Sequence, residues 1–101
     1  MDMNFTENEI GAIVKSMGTE MVARISPFGN LILKHKKSKE IIFSFYKREN
    51  GFLIRRRLGY KNIFGSGNIL NGGKVLPTIE KTTEYFVKYM EKYPHSLYEK
   101  A

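Results

Sequence analysis

Two alternating segments, Ile41–Arg48 and Phe52–Leu58, stand on either side of Asn50-Gly51, and this limits the chain more than any other feature. Asn-Gly accepts positive φ at both central positions of a type I′ turn, so the flanking runs are expected to close into a β-hairpin. With Asn50-Gly51 as the loop, Glu49 faces Phe52 and the remaining pairing follows. Phe43, Phe45, Phe52, Ile54 and Leu58 then share one face with Lys47, Glu49 and Arg56. Ile42, Ser44, Tyr46, Arg48, Leu53, Arg55 and Arg57 share the other, with Tyr46 directly opposite Arg55. The first face reads as a core and the second as a basic surface. Arg56, opposite Phe45 in this register, is expected to snorkel at a sheet end with its stem packed and its head in water.

The rest of the chain supplies partners for that hairpin. Thr6 and Glu9 have the spacing of a capping box, with Phe5 and Ile10 placed as a hydrophobic staple. Ile10, Ile13, Val14 and Met17 recur at helical spacing before Gly18, which predicts a helix over about 7–17. Strands are expected at about 21–26, 31–36, 41–48 and 52–58. Keeping Leu31 and Leu33 on the core side requires an odd-length loop before Ile41, which sets Lys34 beside the basic face. Residues 59–77 form a Gly/Asn-rich loop with room for a short strand at Lys74-Val75-Leu76. Thr78 caps a final helix over about 79–93, with Ile79, Thr83, Phe86, Met90 and Tyr93 as its inner stripe and Glu84 and Lys88 as an outer pair. Pro94 ends it, and 94–101 reads as a frayed tail. The expected fold is a single α+β domain over 1–101: an antiparallel meander of three to five strands flanked by an N-terminal and a C-terminal helix.

Charge is concentrated along this chain. Residues 1–20 carry one base and four acids, 21–61 carry eleven bases and two acids, and 62–101 carry five bases and four acids. A concentrated positive field attracts polyanions. The chain has no cysteine, which excludes disulfides and thiolate metal sites and fits a cytoplasmic location. No apolar run approaches the roughly 20 residues that cross a bilayer, and the acidic, polar start is unlike a signal peptide. A membrane partner is not expected.

Catalysis has little support. Gly67–Val75 comes close to a phosphate-binding loop, but Gly73 separates Gly72 from Lys74 and Val75 stands where Ser or Thr would hold magnesium. His35 and His95 have no partner at metal-ligand spacing, and Asp2 is the only aspartate. Two-metal phosphodiester chemistry needs clustered carboxylates. No enzymatic activity, metal or cofactor is expected.

Strand arginines spaced two apart suit a phosphate backbone, because each guanidinium forks onto anionic oxygens. An aromatic between them offers a stacking plane for an unpaired base. Arg48, Arg55 and Arg57 are therefore the expected phosphate contacts. Lys34 and Lys36 extend the track, Lys61 is a further expected contact, and Tyr46 is the stacking ring. The same residues also fit a solvated face whose edge charges oppose aggregation. Tyr85, Tyr89, Tyr93 and Tyr98 read as cover for the core edge, or as a protein contact.

From Glu40 to Tyr93 the pattern resembles the positive-cofactor-four-type transcriptional coactivators and the related Whirly and Pur single-stranded-DNA binders. The residues that carry this are the Ile41–Arg48 strand, Gly51, the Leu53-Ile54-Arg55-Arg56-Arg57 strand, and Gly73-Lys74-Val75-Leu76 entering the last helix. The resemblance implies a curved four-stranded sheet followed by a helix, frequent dimerisation, and DNA-backbone contacts from the strand arginines and Lys74. Arg56 stands where the family has an acidic residue, and the N-terminal helix is extra. The element order also resembles double-stranded-RNA-binding domains, though Ile79-Glu80-Lys81 replaces their lysine cluster.

The expected function is sequence-tolerant, regulatory binding of nucleic acid, single-stranded DNA first and RNA second, with a homodimer as one arrangement. The alternative is a small phage-type inhibitor whose basic face meets the acidic surface of a host nucleic-acid enzyme. A small enzyme ranks last.

Overall fold

The computed structural model describes residues 4–37, 39, 41–56 and 73–92. Five strands form one antiparallel sheet in sequence order: β1 (Met21–Ile25), β2 (Leu31–His35), β3 (Ile41–Arg48), β4 (Gly51–Arg56) and β5 (Lys74–Leu76). Helix α1 (Glu7–Met17) precedes the sheet and α2 (Ile79–Lys92) follows it, which gives the expected α+β architecture. Residues 57 and 58, expected to close β4, lie outside the described residues, as do 59–72 of the expected loop and 93–101. No helix among the described residues is long and apolar enough to cross a membrane.

Both helices start on the residues that their caps require. The Thr6 N–H donates to Glu9 Oε1 at 2.8 Å while the Glu9 N–H donates to Thr6 Oγ1 at 3.2 Å, which completes the capping box. In α2 the Lys81 N–H donates to Thr78 Oγ1 at 3.2 Å, and the fully buried Thr82 hydroxyl donates back to the Thr78 carbonyl at 2.7 Å. Thr82 and Phe86 form the buried line of α2, with Ile79, Tyr85, Tyr89 and Met90 half-buried beside them. The expected Glu84–Lys88 pair is not made; the ion pairs among the described residues are Lys47–Glu9 and a 4.0 Å contact of His35 with Glu20.

The core lies between the helices and one face of the sheet. Phe86 meets Phe43 and Phe45 edge-on, with ring centres 4.8 and 5.2 Å apart, and Ile13, Met21, Leu31, Leu33 and Ile54 complete the packing. Lys47 falls on this face and is neutralised there by Glu9, its Nζ 2.9 Å from Oε1. Burial alone would raise the Glu9 carboxyl, but the Thr6 N–H, the Lys47 ammonium and the Thr6 hydroxyl together hold it below the ordinary carboxylate value.

Two expectations about register are corrected. The β3–β4 loop is Glu49-Asn50, because Arg48 pairs with Gly51, Lys47 with Phe52 and Tyr46 with Leu53. Asn50 is not at positive φ; Lys39, at 65°, is the one non-glycine there among the described residues. Gly51 instead opens β4 at φ 135°, where a Cβ would strike the Leu76 carbonyl oxygen of the neighbouring strand. The second correction is a bulge. Leu33 pairs with Phe43 but Lys34 pairs with Ile41, which leaves Ile42 as the extra residue. Ile42 was expected on the basic face and is buried in the core cluster.

Glu9 has a depressed carboxyl in the folded state, so its contribution is complete above the unfolded value of 4.5 and is lost as pH falls through the lower folded value. Urea unfolding across an acid titration will show the wild type's advantage over Glu9→Gln shrinking below that point. Gly51→Ala will lower stability by about 1–3 kcal/mol in the same assay, because the side chain can enter only by prising β5 from β4.

Candidate nucleic-acid interface

Strand alternation sends a second set of side chains to the face away from the helices. The pairings Arg24–Ile32, Ile32–Ser44 and Ser44–Arg55 set one row across four strands. Neighbouring strands are about 4.8 Å apart, so Arg24 and Arg55 stand about 14 Å apart at its ends. Tyr46, Leu53 and Val75 form the next row, with Arg48 beyond Tyr46 opposite Gly51. Lys34 lies beside Val22 and Ile41 toward the other end. Arg24 and Arg48 are exposed, while Lys34, Tyr46 and Arg55 are half-buried.

Tyr46 is not opposite Arg55 as expected; Arg55 pairs with Ser44 and reaches the ring diagonally. The Arg48 and Arg55 guanidinium carbons lie 5.7 and 6.0 Å from the Tyr46 ring centre. Each contact is a cation–π attraction that draws a long side chain over the ring. A base arriving here meets a phenol already joined to two guanidiniums, and either kind of plane accepts stacking. Ser44 and Leu53 are 5% and 8% exposed, so the middle of this face is covered rather than open sheet.

The other expected contacts are scattered. Lys36 is exposed in the turn after β2, its N–H bonded to the Glu20 carbonyl at 2.9 Å. Lys74 pairs with Ile54, on the helix side of the sheet, with its ammonium 5.8 Å from the Tyr85 ring centre. It lies on the opposite side of the sheet from Tyr46. Arg57 and Lys61 lie outside the described residues. Arg56 pairs with Phe43 rather than Phe45 on the helix face; it is half-buried, and its Nη1 donates to the Tyr89 hydroxyl at 2.6 Å. Tyr85 and Tyr89 cover the core edge, with Tyr89 edge-on to Phe43 at 5.9 Å.

Sequence reasoning missed Arg24. The alternation Met21, Ala23, Ile25 that marks the inner side of β1 leaves Val22 and Arg24 outside, so the signal was present. Ile42 was misassigned because a bulge has no signature in hydrophobic alternation. Comparison with protein-family models, curated protein sequences and solved structures finds no match.

Replacing Tyr46 by leucine removes both cation–π contacts, each worth about 0.5–1 kcal/mol at such a site. Tyr46→Leu is expected to cost about 1–2 kcal/mol in urea unfolding. Amide exchange should accelerate in β3 and β4 and stay unchanged in α1.

Proposed function

We propose that this protein binds nucleic acid through the face that carries Arg24, Lys34, Tyr46, Arg48 and Arg55, single-stranded DNA first and RNA second, with little sequence preference. The observation that carries the reading is the convergence of Arg48 and Arg55 on the Tyr46 ring. Four cations share this face, and none of its strand residues is a carboxylate. Guanidinium and ammonium groups recognise phosphate whatever base is attached, so affinity follows charge and salt rather than sequence. The Tyr46 ring and its two guanidiniums supply planes against which unpaired bases stack. The role is binding rather than turnover, and regulation of a nucleic-acid process follows from it.

Fluorescence anisotropy with labelled single-stranded and duplex oligonucleotides over a salt series tests this. Each single-strand phosphate neutralised contributes a slope of about −0.7, so four contacts give a log–log slope of about −3. Arg24→Ala combined with Arg55→Ala should flatten that slope by about 1.4 without unfolding the protein. Affinity that is weak and insensitive to salt sinks the reading and turns attention to a protein partner with an acidic surface.

A further inference from the structure

A cavity of about 200 Å³ opens on the helix side of the sheet, lined among the described residues by Phe43, Ile54, Arg56, Gly73, Tyr85 and Tyr89. It lies on the opposite side from Tyr46 and does not depend on the nucleic-acid reading. Arg56 is its charged wall. Nη1 donates to the Tyr89 hydroxyl, and the guanidinium carbon is 5.6 Å from that ring's centre. Nε is buried without a hydrogen-bond partner. The group is therefore tethered at one corner. Its Nε–Nη2 edge, the edge that forks onto carboxylate or phosphate, meets no acceptor among the described residues.

The surroundings favour an anion there. β4 and β5 contain no Asp or Glu, so neither strand brings a carboxylate to the cavity. Neither ion pair among the described residues involves Arg56. Lys74 follows Gly73 directly, and its ammonium lies against Tyr85, which adds a second positive charge at the rim. A partly desolvated charge without a counter-charge is costly, and a bound anion relieves that cost. Size limits the ligand. A cavity of about 150 Å³ holds benzene, whereas drug-sized ligands need roughly 300–1,000 Å³.

We propose that this cavity binds a small organic anion, with a carboxylate or phosphate on the Nε–Nη2 edge of Arg56. Its body is no larger than one ring and packs among Phe43, Ile54, Tyr85 and Tyr89. Titrating the full chain with benzoate, and separately with neutral benzyl alcohol, tests this by NMR. Benzoate should saturably shift the amides of Gly73, Tyr85 and Tyr89 and the Arg56 Nε–H. Benzyl alcohol should bind at least tenfold more weakly, and Arg56→Gln should weaken benzoate by at least tenfold. Inorganic phosphate that displaces benzoate supports a phosphate-bearing ligand; phosphate without effect supports a carboxylate. Equal binding of the two ring compounds, shifts that fail to saturate, or shifts gathered at Arg48 and Arg55 overturn the proposal. The benzoate–benzyl alcohol comparison needs no variant, so it decides the matter even where Arg56→Gln folds poorly. Oligonucleotide affinity plays no part in the readout, which keeps this outcome separate from that of the interface.

Discussion

The edge-on meeting of Phe86 with Phe43 and Phe45 decides which way the strands of this protein point. Once those two rings lie under α2, the period of two along β3 turns Ser44, Tyr46 and Arg48 to the other side, and pairing carries the choice to every strand. Charged residues that fall on the inner side then need individual partners, because an unpaired charge is costly there. Lys47 finds Glu9 and ties α1 to β3. Among the described residues Arg56 finds the Tyr89 hydroxyl, a neutral partner for a full charge.

In the β3–β4 hairpin the side taken by each described residue but Ile42 was legible in the sequence although the pairing was not. Reading Asn50-Gly51 as the loop misplaces the partner of each β3 residue by two positions, and a displacement of two preserves which side a residue faces. Tyr46 and Arg55 therefore emerge on the same side even though they are not cross-strand partners. Gly51 lies where a Cβ would meet the Leu76 carbonyl oxygen, a close approach between strands distant in sequence that local turn preference does not encode. The same reasoning explains Ile42 and Lys74. The bulge at Ile42 and the side taken by Lys74 depend on how neighbouring strands engage, whereas the capping box of α1 uses residues three apart and was readable outright.

The two candidate sites represent different ways of using arginine. On the outer face, Arg48 and Arg55 converge on one ring within a broad array, which suits a long polyanion held by many weak contacts. At the cavity a single guanidinium is oriented by one hydrogen bond and flanked by apolar walls, which suits a short ligand held by few strong contacts. The sheet separates them, so occupancy of one need not obstruct the other.

The helices carry mixed charge, with Glu7 and Glu9 against Lys15 in α1 and Glu80, Glu84 and Glu91 against Lys81, Lys88 and Lys92 in α2. On the face away from the helices, Arg24, Lys34, Arg48 and Arg55 stand among strand residues that include no carboxylate, so that flank is positively charged. A body charged on one flank turns in an external field as well as drifting along it. On the nucleic-acid reading, within a screening distance of about 8–10 Å, that torque would turn the charged flank toward the polyanion before any side chain touches, so orientation would precede contact.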